Sequence, residues 1–205
     1  MRRAILISIM IMFLFILHLC SPIIIDGYSM YKDATKEKQL STLVQEIKSD
    51  ENYVTLDEIN PIYLKALIKS EDKRFYSHFG IDLIALSRAT VTNIAAGKLK
   101  EGGSTITQQL AKNLYFSFEK RFERKVAEVF VVFELENNYS KDEILELYVN
   151  IIYFGENCYG IKEASSHYFN KLPSQLNKFE ADALVYTIKS PNNYNPNELK
   201  FTYAQ

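Results

Sequence analysis

The chain has 205 residues, 47% hydrophobic and 24% charged, which is enough apolar material to bury a core and too much for a disordered polymer. Its 24 basic and 25 acidic residues leave a net charge of -1, so no chain-wide basic field exists to hold a nucleic-acid backbone. Two cysteines, Cys20 and Cys158, cannot make a disulfide framework or a four-thiolate zinc site, and both read as small buried hydrophobes.

From Ala4 to Ile25 no residue is charged. As an α-helix rising about 1.5 Å per residue, this run can cross a hydrocarbon layer of about 30 Å. Arg2 and Arg3 favour leaving the N-terminus in the cytoplasm, so the remainder is expected outside. The run lacks a small-x-small cleavage pattern, which favours a retained anchor over a cleaved signal peptide. Leu19 before Cys20 argues against lipidation. Residues 1–27 are therefore read as a cytoplasmic tip and transmembrane anchor, 28–56 as a stalk or linker helix, and 57–205 as one folded domain. In the stalk, Leu40, Leu43, Val44 and Ile47 predict one amphipathic helix from Tyr28 to Asn52.

Within the domain, Asn60-Pro61 opens a helix whose apolar face is Ile62, Ala66, Leu67 and Ile68, running into Glu71-Asp72. Gly102 to Thr105 is a loop ending in capping residues, followed by a helical seam of Ile106, Leu110 and Leu114. Arg121 to Glu136 has helical spacing, and Ser140 with Glu143 forms a capping box for a helix through Tyr148. Gly155 and Gly160 mark its end and the turn beyond, and a last helix runs from Asn177 to Ile188, closed before Pro191. No period-two series emerges, so the expected class is all-α.

Singly, Glu71, Asp72, His78 and Lys112 have ordinary explanations as helix ends, core histidine or solvated charge. Their grouping is denser than a plain helical hairpin requires. EDKRFYSHFGID at 71–82 collects two acids, a basic pair, aromatics, a histidine and a glycine. In GGSTITQQLAKN at 102–113, Gln108/Lys112 and Gln109/Asn113 make two polar stripes one turn apart. A helix start carrying Ser104 and Thr105, with a lysine one or two turns on, suits an anionic group such as a phosphate. Arg124 and Glu128 share a helix face at i, i+4. Tyr115, Phe116, Phe118 and Phe122, beside Lys120, Arg121 and Arg124, fit either core packing or a lobe dipping into a membrane surface.

In this order, from about Ile59 to Pro196, the motifs resemble those of the peptidoglycan glycosyltransferases, the transglycosylases of glycosyltransferase family 51. The first motif is met by Glu71, Asp72, Phe75, His78, Gly80 and Asp82, the second by 102–113 letter for letter, and the third by Arg124, Lys125 and Glu128. A fourth is met by Ile144, Leu145, Glu146, Tyr148, Asn150, Gly155, Tyr159 and Gly160, and a closing one by Ala183, Leu184, Pro191, Tyr194 and Pro196. Val149 and Cys158 depart from the usual Leu and Ala.

The resemblance implies a lysozyme-like, two-lobed helical domain that polymerises lipid II into β-1,4-linked glycan, releasing undecaprenyl pyrophosphate by inverting displacement. It implies Glu71 as general base and Glu128 as a second catalytic acid, acting near the leaving group or organising its cations. Lys112, Arg124, Lys125 and Gln109 would bind phosphate and sugar, with Asp72, Phe75, His78, Ser104, Thr105, Gln108 and Asn113 completing the substrate-binding set. No metal ligands are expected and no cofactor is obligatory; a divalent cation, Mg or Mn, would be loosely held. Implied partners are lipid II, the lipid-linked glycan, membrane lipid and other cell-wall synthesis proteins, not nucleic acid. The implied location is the bacterial cytoplasmic (inner) membrane, single-pass, with the catalytic domain on the extracytoplasmic side. A family inhibitor, the phosphoglycolipid moenomycin, resembles the lipid-phosphate donor.

Ser70-Glu71-Asp72-Lys73 spells S-x-x-K, but it lies inside the first motif and its transpeptidase companions are missing, so a monofunctional enzyme is expected. A muramidase-like hydrolase would also use two carboxylates, but would leave Lys112, Arg124 and Lys125 without a pyrophosphate. A non-catalytic assembly scaffold would be marked by loss of the acids, and both are present.

Overall fold

The computed structural model describes residues 2–98, 100–116 and 121–198, without the side chains at 2–6, 8, 9, 13, 16, 17 and 20. Phe118, Lys120 and the Cys20 side chain lie outside the described residues. Those described form α1 (Arg2–Glu37), α2 (Leu40–Lys48), α3 (Pro61–Glu71), α4 (Leu83–Ala96), α5 (Ile106–Tyr115), α6 (Phe122–Asn138), α7 (Lys141–Ile151), α8 (Gly160–Phe169) and α9 (Lys178–Thr187). The domain is all-helical, with one isolated bridge between Tyr153 and Tyr159.

Helix starts follow local chemistry. The Asn60 side chain accepts from the Ile62 N–H with Pro61 at the first helical position, and Thr105/Gln108, Ser140/Glu143 and Asn177/Glu180 form reciprocal capping boxes. The apolar face of α3 differs from expectation. Ile62 is exposed, and the buried stripe is Tyr63 and Leu67, turned toward α9. The central layer is α5 against α6 and α7, with Ile106, Leu110, Val131, Leu135, Leu145 and Tyr148 buried between them. Cys158 is buried, as expected.

The stretch expected as one stalk helix is two. The chain breaks where Gln39 adopts an extended conformation, α2 then buries Leu40 and Val44 and packs on α7, and the tail of α1 packs along α6. Tyr31 Oη donates to Glu134 at 2.9 Å, and a Cβ on Gly27 would lie 2.6 Å from Val126 Cβ, so at that crossing only glycine fits. Burial of Leu40 and Val44 makes this segment part of the folded unit.

Upstream, α1 carries Pro22, which cannot donate to the His18 carbonyl; the Ser21 hydroxyl does so instead at 2.9 Å. Among the described residues no helix is long and apolar enough to cross a membrane.

Helix α4 was not foreseen. Asp82 caps it by accepting from the Ile84 and Ala85 N–H groups, and Gly97 ends it in the left-handed region at φ 62°. Only Ala89 is buried, so α4 stands off the core and leaves Leu83, Ile84, Val91 and Ile94 exposed. At 100° per residue these four fall on one stripe.

Candidate active site

Glu71 is the last residue of α3 and is partly exposed. The Ser70 hydroxyl donates to its Oε1 at 3.2 Å, and the Gln109 amide donates from Nε2 to its Oε2 at 3.1 Å. The other end of that amide, Oε1, accepts from the Tyr148 hydroxyl at 2.8 Å. Three helices, α3, α5 and α7, thus converge on one carboxylate. Gln109, assigned to substrate from the sequence, has both ends of its amide engaged inside the protein.

Asp72, the adjacent acid, belongs to the scaffold. It is buried, His78 Nε2 lies 2.9 and 3.0 Å from its two oxygens, and Oδ2 accepts the Ile106 N–H at 3.1 Å. The start of α5 is therefore occupied by an internal anion, which satisfies both the orphan N–H and the helix dipole. Thr105 is also closed off: its hydroxyl donates to the Gly80 carbonyl at 2.6 Å and accepts from the Gln108 N–H, while Gln108 Oε1 accepts from the Thr105 N–H at 3.0 Å. Gly80 sits at φ 73° and passes close beneath α6. Asp72, His78, Thr105 and Gln108, all expected in the substrate set, thus make internal contacts, and the start of α5, expected to suit an anion, faces the Asp72 carboxylate. Phe75 is a core residue with the Lys141 ammonium 4.6 Å from its ring centre. Ser104 is exposed beside the cap.

Asp72, His78 and Asp82 bring ligand atoms within 4.8 Å of one another, a cluster not foreseen. They do not fit a cation. The Arg74 guanidinium reaches Asp82 at 2.7 Å, and Asp82 Oδ1 also accepts the Ile84 and Ala85 N–H groups. Burial pushes the Asp82 carboxyl up, yet Arg74 and the helix N–H groups outweigh it and hold it below the ordinary range. Although His78 Nδ1 is buried without a partner among the described residues, the oxygens that would share an ion with it already accept hydrogen bonds.

The second charged group is built differently. Glu128 is fully buried on α6, paired with Arg124 one turn before it and with Lys125 Nζ at 2.7 Å. Lys112 comes from α5. Burial, then Arg124, lowers the Lys112 ammonium from its ordinary value, and burial, then Arg124 and Lys112, lowers Lys125. Three cations from two helices thus lie near one another, with burial the larger influence on both lysines. Buried and paired with both Arg124 and Lys125, Glu128 holds two of these cations together.

Lys112, Gln109 and Asn113 open onto a cleft of about 1110 Å³, whose wall continues through Asn150, Tyr153 and Asn192. Leu43, Glu46 and Ile47 of α2 also line it. Glu71, Arg124, Lys125 and Glu128 do not line this cavity and adjoin it through Gln109 and Lys112. The amide-rich wall was not picked out from the sequence. Asn150 and Glu146 of the fourth motif hold the segment at Tyr53 to Leu56: Asn150 pairs both ways with the Val54 backbone, and Glu146 accepts the Tyr53 hydroxyl and the Leu56 N–H.

The aromatic group between the second and third motifs resolves toward packing where it is described. Tyr115 and Phe116 pack against the core, with the Tyr115 hydroxyl donating to the Lys38 carbonyl at 3.0 Å, and Phe122 alone is fully exposed.

A family model described as Transglycosylase matches residues 36–205. Over 143 residues the chain is 48% identical to penicillin-binding protein 1F of Bacillus subtilis (strain 168), covering 70% of this chain and 20% of that protein. Over 144 residues it is 44% identical to penicillin-binding protein 1A of Neisseria flavescens and 43% identical to that of Aquifex aeolicus (strain VF5), covering 70% of this chain and 18% and 20% of theirs. The chain thus spans about a fifth of the length of the curated relatives it matches. With most of its length matched, and with the acid, glutamine and cation motifs of the resemblance assembled on α3, α5 and α6, the chain belongs to the transglycosylase family.

Proposed function

We propose that the protein is a peptidoglycan glycosyltransferase that joins a lipid-linked glycan to lipid II. The observation that carries this reading is a group of cations beside a cleft, Lys112 on its wall and Arg124 and Lys125 held by the buried Glu128 of α6. A glycan hydrolase expels a neutral sugar and has no use for such charge, whereas a departing pyrophosphate does.

In the reaction, Glu71 accepts the proton of the acceptor's 4-hydroxyl as that oxygen bonds to C1 of the donor. The bond from C1 to the pyrophosphate oxygen breaks with inversion, and undecaprenyl pyrophosphate leaves with the electron pair. Lys112, Arg124 and Lys125 meet the charge that gathers on it, with Glu128 holding the latter two in place. A divalent ion, Mg or Mn, is proposed only as a loosely held companion of the pyrophosphate. The off-core position of α4 supports a two-lobed, lysozyme-like arrangement around the cleft.

The same reading seats the domain on a bacterial cytoplasmic membrane, on its outer side. Support for a single-pass anchor comes from the sequence, the uncharged run Ala4–Ile25, several of whose side chains lie outside the described residues that hold no spanning helix. The apolar stripe of α4 replaces Tyr115 and Phe116 as the surface that dips into lipid, next to a substrate whose tail stays in the bilayer.

The test is polymer formation from purified lipid II by the wild-type chain and by Glu71→Gln. The amide cannot take a proton, so the variant should lose about 10²- to 10⁴-fold in rate. Retention of a tenth of the wild-type rate would remove Glu71 from the base role.

A further inference from the structure

The amide of Gln109 has two unlike ends, and its neighbours decide which faces which. A carboxylate only accepts, so the Nε2 end belongs against Glu71, 3.1 Å away, and Oε1 is left for the Tyr148 hydroxyl at 2.8 Å. Tyr148 is fully buried. Burial first, then the neighbouring Glu71 charge, pushes its phenol well above the ordinary tyrosine value, so it keeps its proton and donates. A reversed amide would set oxygen against carboxylate and lose the bond to Glu71, and the Tyr148 hydroxyl would have to turn from donor to acceptor.

We infer that Tyr148 is a positioning residue for proton transfer: by holding the Gln109 oxygen it aims the amide N–H at Oε2 of Glu71, and leaves Oε1, beside Ser70, as the oxygen that takes the acceptor's proton. This rests on Glu71 being the base proposed above. Tyr148 reaches the reaction only through Gln109, from the buried face of α7. Tyr63 of α3 supplies the contrast. It is equally buried, but its hydroxyl has no hydrogen-bond partner among the described residues.

The experiment is steady-state turnover of lipid II by the full chain in detergent. Tyr148→Phe should lower kcat about tenfold, equivalent to about 1.4 kcal/mol, with KM unchanged. Gln109→Met, which keeps the side-chain shape and removes both bonds, should lower kcat at least as far, and the double variant should be no slower than Gln109→Met alone, since the two act along one path. Tyr63→Phe should turn over at the wild-type rate. A Tyr148→Phe kcat within about twofold of wild type, a loss appearing in KM instead, or effects that multiply in the double variant would each overturn the inference. Should Tyr148→Phe not fold, Gln109→Met decides, and a wild-type kcat there is equally fatal. Failure of the base assignment would look different: Glu71→Gln itself would then turn over.

Discussion

Helix α5 carries a polar cluster near each end, and the two are built on opposite terms. At its start, Asp72, His78, Thr105 and Gln108 face donors and acceptors that match them, and Arg74 closes the neighbouring Asp82. Toward its end, Lys112 comes near Arg124 and Lys125, and burial first, then the neighbouring cations, hold the two ammonium groups below their ordinary values. A satisfied cluster fixes one geometry and adds stability. Three cations about one buried carboxylate keep a positive potential for a ligand of opposite sign. Both clusters look alike in sequence, as runs of polar residues around apolar seams.

The largest effect expected from breaking this contrast is at Glu128. Glu128→Ala leaves Arg124 and Lys125 without the buried carboxylate that pairs them, and breaking a buried ion pair costs about 3 to 5 kcal/mol. Chemical denaturation should show that loss together with loss of turnover. An unchanged midpoint would mean that Glu128 does not organise the cations.

If the proposed reaction holds, Lys112→Ala removes one charge-assisted contact to the leaving group, about 1.5 to 3 kcal/mol, and should slow lipid II turnover roughly 10- to 150-fold. Moenomycin affinity should fall with it, while Lys38→Ala, at a surface pair with Glu46, leaves both intact. Equal behaviour of the two variants would make Lys112 an ordinary surface charge. A pH titration sharpens the point. Because Lys112 and Lys125 sit below the ordinary lysine value of 10.5, they lose their charge earlier as pH rises. Moenomycin affinity measured by calorimetry should accordingly decline on the alkaline side before an exposed lysine would titrate, and a flat profile up to that value would contradict the crowding.

The smallest effect is at the closed end. Thr105→Ala removes a helix cap and should lower stability by about 0.5 to 2 kcal/mol, with moenomycin affinity unchanged in the folded variant. A selective loss of affinity would show that the start of α5 does bind the phosphate.

Much of this fold was legible because capping is local. Asn60-Pro61, Thr105 with Gln108, Ser140 with Glu143 and Asn177 with Glu180 declare helix starts within a few residues. Helix α4 was missed for a physical reason: Leu83, Ile84, Val91 and Ile94 lie on its outer stripe, so its pattern does not point apolar residues inward. In the site, the residue types were legible, and which of them make internal contacts was not. Whether Asp72 meets substrate or scaffold depends on Ile106, 34 residues on, and whether Gln109 is available depends on Tyr148, 39 residues on. Local spacing carries no signal for either. The cation group was legible because two of its members, with Glu128, share adjacent turns of one helix.

The most direct test of transfer at a crowded cation site is to follow both products from lipid II with the purified full chain. The account predicts that undecaprenyl pyrophosphate appears in step with β-1,4-linked polymer, and that preformed glycan without lipid II is left uncut. Release no faster than a protein-free blank, or cleavage of preformed glycan, would contradict it.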